Sequence, residues 1–433
     1  MSAAGGSLLG RVLGRLRTRE MRGIAHGVFT SGAAMGVAYV LNYVVIIVLS
    51  RLAPKEDVGT FSYIVSTATI LSTFADFGMT NALTRAYHAT AADERARLLA
   101  MSLVTRAAVS LLIAAVCLAS GASDLGWVGL LVVLWPGETL LFFLNARMDF
   151  GAAAVSRIAS AALFFGGSIG LYLWTRDAGV AAAARGLAFL LAGGWVGWKV
   201  LDRAAFRGWS WASLRRLLRL GGEFFALNAS SAVFGHIDVV LLSWLLTRAD
   251  VGLYRPLFTL AIVPSMLSMV VNVPLNAVVS SRGWRDRRVL LSTVHTLVGL
   301  VSAISLVVTV VGWIFAPQIL RLVLGKDYVD GADVFRIILL AAAFRSLTSP
   351  YYSFIMMRGR VMPLIVLSLI NTAGLVVIDL VLIPLQGTDG AAWARLAVQL
   401  LGVAGMLWYF YWGFLQDVTR RSELDRDAAE ETA

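Results

Sequence analysis

Twelve apolar runs, each about as long as a bilayer is thick, limit what this chain can fold into. They cover approximately residues 27–50, 58–80, 98–119, 126–145, 151–174, 178–198, 222–246, 251–280, 289–316, 332–356, 361–384 and 388–413. A helix needs about 20 mainly apolar residues to cross the hydrocarbon core. No water there satisfies an open backbone, so the runs must close their hydrogen bonds as helices. Hydrophobic residues make up 58% of the chain and charged residues 15%, against roughly 45–50% and about 25% in soluble domains. The expected fold is an all-α integral membrane protein with twelve transmembrane helices. Runs eight and nine are long enough to tilt or to extend past the bilayer.

A repeat organises these runs. Residues 49–61 read LSRLAPKEDVGTF and residues 242–254 read LSWLLTRADVGLY, so Asp57, Val58 and Gly59 align with Asp250, Val251 and Gly252. Each copy is a short polar turn between two apolar runs. AAAAR at 181–185 and AAWAR at 391–395 align Arg185 with Arg395 near the end of each half. A duplicated hairpin opening each half predicts two pseudo-symmetric six-helix bundles, 27–198 and 222–413, related as a parallel repeat.

Charge placement sets the orientation. The net charge of +11 comes from 34 Arg and 3 Lys against 26 acidic residues. Most of these cations fall in the two terminal segments and alternate loops, which the positive-inside rule assigns to the cytoplasm. In segment 1–26, Leu8, Leu9, Val12, Leu13 and Leu16 form one helical stripe opposite Arg11, Arg15, Arg19 and Arg22, as in a basic amphipathic helix lying on a membrane surface. The linker 199–221 alternates Lys199, Arg203, Arg207, Arg215, Arg216 and Arg219 with Trp209, Trp211, Leu214, Leu217 and Leu218. Anionic lipid explains that basic run, and nucleic acid is not an expected partner. The tail, 414–433, turns acidic and cytoplasmic.

Cys117 is the single cysteine and sits in an apolar run, and His26, His88, His236 and His295 share no ligand-like spacing, so no metal site is expected. The pairs Gly32/Gly36, Gly166/Gly170 and Gly193/Gly197 suit close helix packing.

LAPKEDVGTFSYI at 52–64 is followed by DFGMTNALTR at 76–85, and the second half carries LGKDYVDGADVFRIILLAAAF at 324–344, MMRGR at 356–360 and LIPLQGTDGAAWA at 382–394. These segments resemble the bacterial polysaccharide flippases that carry lipid-linked oligosaccharides. Their superfamily also holds peptidoglycan lipid-precursor flippases and multidrug and toxin extrusion transporters. The resemblance implies two bundles around a V-shaped cavity that opens to alternate sides, with no catalytic residue and no cofactor. It further implies a bacterial cytoplasmic (inner) membrane location with both termini cytoplasmic, a lipid-linked (undecaprenyl-pyrophosphate) oligosaccharide as cargo, membrane lipids as surroundings, and polysaccharide polymerase and glycosyltransferases as partners. A multidrug or cation antiporter of the same superfamily is one alternative. A membrane polysaccharide polymerase or glycosyltransferase is another, though no outer loop is long enough for a soluble catalytic domain.

Charged groups inside the apolar runs carry the functional expectation, because each costs about 2.5–3.5 kcal/mol at the bilayer centre. Arg345 lies in mid-run five residues before Pro350, and is the leading candidate to hold an anionic headgroup. Arg106, Arg336, Arg85 and Arg255 join it as candidate substrate-binding residues, since guanidinium binds phosphate bidentately and stays charged. Asp238, Glu138, His236 and Asp76 are candidates for ion coupling. The competing expectation for all of these is structural ion pairing. Arg185 and Arg395, about seven residues inside the outer boundary, are expected to snorkel to the interface; Asp379 is a candidate partner for Arg395, a pairing that sequence does not establish. Pro136, Pro264, Pro274 and Pro350 mark candidate hinges.

Overall fold

The computed structural model describes residues 19–87, 90, 92–201, 210–266, 287–357, 361–414 and 416. The basic stripe before Arg19, His88, the linker residues 202–209, Pro274 with its neighbouring asparagines, and the acidic tail after 416 lie outside them. Every regular element among the described residues is a helix. The α-helices are α1 Arg19–Leu52, α2 Lys55–Asp76, α3 Met79–Tyr87, α4 Ala92–Ala119, α5 Ser123–Leu134, α6 Gly137–Ala146, α7 Phe150–Thr175, α8 Ala178–Val200, α9 Trp211–Leu245, α10 Arg248–Ala261, α11 Arg287–Ile314, α12 Ala316–Val323, α13 Ala332–Met357 and α14 Val361–Trp408.

Eight stretches among the described residues are long and apolar enough to cross a membrane, or nine if the bent pair Val298–Ile314 and Ala316–Val323 counts as one span. The eighth, Val361–Gly413, is two runs joined. Within α14, Gly387 takes φ 62 and ψ −134, a conformation that only glycine adopts at low cost, and the helix turns there. That position separates the runs 361–384 and 388–413. Pro136 accounts for a second break: it lacks the amide hydrogen a continuous helix needs, so the run at 126–145 divides into α5 and α6. Pro350 interrupts nothing, since α13 continues through it.

The described residues pack into two compact units. Unit 1 takes in those up to Val45 together with 75–175 and 180–222, and unit 2 takes in 46–74, 176–179 and those from Glu223 onward. Residues 46–74, which chain order assigns to the first bundle, thus group with the second half. Unit 1 packs Met79 and Leu83 of α3, Leu140 and Leu144 of α6, Val196 of α8 and Leu217 of α9 into one core. The linker residues Leu214 and Leu217 are buried while Arg215, Arg216 and Arg219 are exposed, so this amphipathic stretch is the first part of α9 and not a separate surface helix. Unit 2 is centred on α10, whose Val251, Tyr254, Leu257 and Phe258 meet Leu320, Ile338, Ile383 and Ala391. Large apolar side chains also point outward, Leu111, Leu112, Val116 and Leu118 of α4 among them. Lipid covers such a face without penalty, so packing and hydrogen bonds must hold the helices together.

The repeated hairpin has a structural consequence within unit 2. In the second copy Thr247 caps α10: its Oγ1 accepts from Asp250 N, and Asp250 Oδ2 accepts from Thr247 N at 3.0 Å. In the first copy Pro54 precedes α2, with Glu56 and Asp57 in its first turn. The aligned glycines of the two copies then meet. A Cβ on Gly59 would lie 1.8 Å from the Arg248 carbonyl oxygen, and one on Gly252 would lie 1.8 Å from the Lys55 carbonyl oxygen. Lys55 and Arg248 are themselves aligned residues, so the crossing of α2 and α10 is reciprocal, and it requires glycine on both sides.

Candidate functional site

One turn of α9 organises the polar interior of unit 2. Asp238 has no exposed surface. Its Oδ2 accepts from Tyr254 Oη at 2.7 Å, from Arg395 Nη2 at 2.9 Å and from Arg395 Nε at 3.2 Å, while Oδ1 accepts from Val239 N at 2.9 Å. Arg395 Nη2 also donates to the Phe234 carbonyl at 2.9 Å. A buried charge needs this many partners, because desolvation costs several kcal/mol per ion.

Two further arginines gather on the same turn. The Arg395 guanidinium lies 5.1 Å from the Phe234 ring centre and 4.6 Å from that of Phe258. Arg345 also approaches Phe234, at 5.7 Å, and Arg255 lies 5.2 Å from Phe258 with Nη1 3.5 Å from the Gly235 carbonyl. Arg345 is exposed although it sits mid-helix in α13. His236, on the same turn, places Nδ1 3.1 Å from Ser66 Oγ. Of the arginines singled out from sequence, Arg345 therefore reaches Phe234 and Arg255 reaches Phe258, and Arg395 lies beside both rings.

The expectation that Arg395 snorkels is corrected: it is 4% exposed and bound to Asp238. Arg185 does not snorkel either. In unit 1 its guanidinium lies 4.9 to 5.4 Å from the rings of Trp135, Phe164 and Phe189, and Nη1 donates to Asn42 Oδ1 at 3.2 Å. Depth along a helix sets how far a side chain must reach to water. Partners on neighbouring helices decide whether it goes, and hydropathy does not reveal them. Asp379 is fully buried but does not pair with Arg395: both its oxygens lack a hydrogen-bond partner among the described residues.

The other sequence-derived residues lie apart from the Phe234 turn. In unit 1, Arg106 is buried, with Nη1 3.2 Å from Asp76 Oδ1 and 2.6 Å from Thr139 Oγ1, and Nη2 3.1 Å from Glu138 Oε2. Asp76 closes the DFG turn, where Phe77 and Gly78 take positive φ of 47 and 70, and its carboxylate accepts from Thr80. Glu138 Oε2 also accepts from Trp135 Nε1 at 2.9 Å. Arg336 pairs with Asp333 at 2.7 Å and donates to the Trp313 carbonyl. Arg85 is exposed in the last turn of α3. Sequence alone did not single out Tyr254, Phe234 or Phe258 for this turn; the available signals were the place of Tyr254 at the end of the repeated stretch and the helical spacing of Phe234 from Asp238 and of Phe258 from Arg255. Among the described residues no group of three or more His, Cys, Asp or Glu is arranged to hold a metal ion.

Several solved structures share this fold. Lipid II flippase MurJ in an inward closed conformation aligns with a TM-score of 0.70, covering 91% of this chain and 90% of its own at 13% identity. An inward-facing multidrug resistance MATE family transporter of the MOP superfamily aligns at 0.68, covering 89% and 95% at 16% identity. A MATE structure in the straight conformation aligns at 0.59, covering 92% and 96% at 16% identity. A comparison with curated proteins returns no significant match. Apolar helices of this length, in this arrangement, define a multi-pass membrane protein with the fold of the MOP-superfamily transporters. The chain belongs to the polysaccharide biosynthesis protein family, whose model matches residues 24–280, more than half of its length.

Proposed function

We propose that the protein is a flippase that moves an undecaprenyl-pyrophosphate-linked oligosaccharide across the bacterial cytoplasmic membrane by alternating access, with twelve spans in two six-helix bundles and both termini cytoplasmic. The observation that carries this reading is the exposed Arg345 guanidinium beside Phe234, with Arg255 and Arg395 on the same turn of α9. Arg395 is committed to Asp238 and holds the turn in place, and Arg345 and Arg255 are the pair that binds the pyrophosphate oxygens. Cations are repelled by such a group, which disfavours a drug-cation antiporter. Arg106, Arg336 and Arg85 have secondary roles: Arg106 braces unit 1 through Asp76 and Glu138, and Arg336 and Arg85 lie near helix ends.

Energy coupling is assigned to Asp238, Glu138, Asp76 and His236. Asp238 and Glu138 suit that role by position, since their ion pairs with Arg395 and Arg106 each join two helices. The test is glycan export in cells carrying Arg345→Ala at normal membrane abundance. Loss of export is expected; wild-type export would refute the assignment of Arg345.

A further inference from the structure

The two arms of α14 on either side of Gly387 pack against each other. A Cβ on Gly390 would lie 2.2 Å from the Leu382 carbonyl oxygen, one on Gly402 would lie 2.8 Å from Asn371 Nδ2, and one on Gly374 would lie 3.8 Å from Val398 Cγ2. These contacts make the arms antiparallel and place Asp379 of the first arm level with Ala394 and Arg395 of the second. A separate set of contacts gives the same level. Ser230 Oγ of α9 lies 2.8 Å from both Ser368 Oγ and Thr372 Oγ1, and about two turns further along each helix come Asp238 and Asp379. The residues flanking Asp379 on its buried side, Leu375, Ile378 and Leu382, pack with Phe234 and Ile237 of α9 and with Ala394 and Val398.

One level of unit 2 therefore carries two carboxyl groups and the Arg395 guanidinium. Arg395 and Tyr254 both bond to Asp238. Asp379 has no exposed surface, and neither of its oxygens has a hydrogen-bond partner among the described residues. The remaining charged or titratable groups of the surrounding helices are engaged elsewhere: His236 of α9 at Ser66, Arg255 of α10 at the Phe258 ring and the Gly235 carbonyl, and Arg345 of α13 at the Phe234 ring. An ionised carboxylate in apolar surroundings with neither a donor nor a cation bound to it costs far more than the neutral acid. A metal ion is a poor substitute for the proton, because the guanidinium at the same level repels it.

We propose that Asp379 is a proton-binding site, which holds a proton in this conformation and gives it up in another during the transport cycle. The proposal rests on the flippase reading above for the cycle, and on the burial and helix register of Asp379 for the proton. With the proton bound the level is neutral, since Asp238 and Arg395 cancel. Without it a second carboxylate lies beside Arg395 and the level carries one negative charge, so the conformation that releases the proton is one in which Asp379 gains water or a donor. Asp379 differs in this from Asp238 and Glu138, whose carboxylates are already bound by Arg395 and Arg106.

The test has two arms, both on the full-length protein. Infrared spectroscopy of the purified protein in lipid nanodiscs, in water and in heavy water, reads the carbonyl stretch of a protonated carboxyl group. The wild type at neutral pH should show such a band, and Asp379→Asn, which keeps the shape of the neutral acid, should lose it. The second arm uses proteoliposomes carrying lipid-linked oligosaccharide extracted from cells depleted of this protein. An imposed pH gradient should speed transfer between leaflets at least tenfold in the wild type and leave Asp379→Asn unchanged, with Asp379→Glu restoring part of the response. No such band in the wild type, or an undiminished band in Asp379→Asn, overturns the proton site and leaves the flippase reading standing. A variant that loses the band yet responds to the gradient as the wild type does overturns the role of this proton in transport. Absence of any transfer by the wild type overturns the flippase reading and that role with it, while the infrared arm still decides whether Asp379 holds a proton.

Discussion

Arg395 shows how a charge becomes tolerable in the apolar interior of this protein. Its guanidinium is shared between the Asp238 carboxylate and the Phe234 carbonyl, with two aromatic rings beside it. Removing one member leaves the other as an uncompensated buried charge, a loss of about 3–5 kcal/mol. Asp238→Asn should therefore lower the thermal unfolding midpoint sharply, and adding Arg395→Met should restore much of it; a double variant no more stable than Asp238→Asn would contradict the pairing. Asp379 behaves differently, since it has no hydrogen bond to lose among the described residues, and Asp379→Asn should unfold within a few degrees of wild type. Arg336, half-buried and paired with an exposed Asp333 three residues away, should tolerate Arg336→Ala with little change in the same assay. Arg345, mid-run and costly, could be singled out from sequence. Its neighbours Phe234 and Arg395 could not, because the contacts join helices far apart in the chain and hydropathy carries no record of which way a helix is rotated.

At the scale of elements, the duplicated hairpin was visible as aligned letters, and its turn chemistry is what those letters suggest: Pro54 in one copy, the Thr247–Asp250 capping box in the other. Thr247→Ala removes that box and should destabilise α10 by about 1 kcal/mol. What the alignment did not disclose is that the two copies touch each other, glycine against backbone. Gly59→Ala and Gly252→Ala should each destabilise unit 2 by about 1–3 kcal/mol through overpacking. Because both crowd the same helix crossing, the double variant should lose less than the sum of the two, as measured by unfolding of the purified protein. Losses that add in full would mean the two glycines act at separate contacts. The helix breaks at Pro136 and Gly387 followed from residue type; Pro350 did not break its helix, and α13 is packed both before it, through Ile338 and Ala341, and after it, through Phe354 and Ile355.

For the whole molecule, length and apolarity were enough to predict a multi-pass helical membrane protein, and the first hairpin with the segments 76–85, 324–344, 356–360 and 382–394 was enough to suggest its family. Apolarity alone identifies eight or nine spans among the described residues, because α13 carries Arg336 and Arg345, and the described part of α10 is short. Of the charges that reduce apolarity in α13, Arg345 is the one proposed to act on cargo. The measurement that tests this most directly is the leaflet distribution of lipid-linked oligosaccharide in cells depleted of the protein and rescued with wild type or Arg345→Ala. Accumulation in the inner leaflet, reversed by wild type and not by Arg345→Ala, is the predicted result. An unchanged distribution on depletion, or full rescue by Arg345→Ala at wild-type abundance, would contradict it.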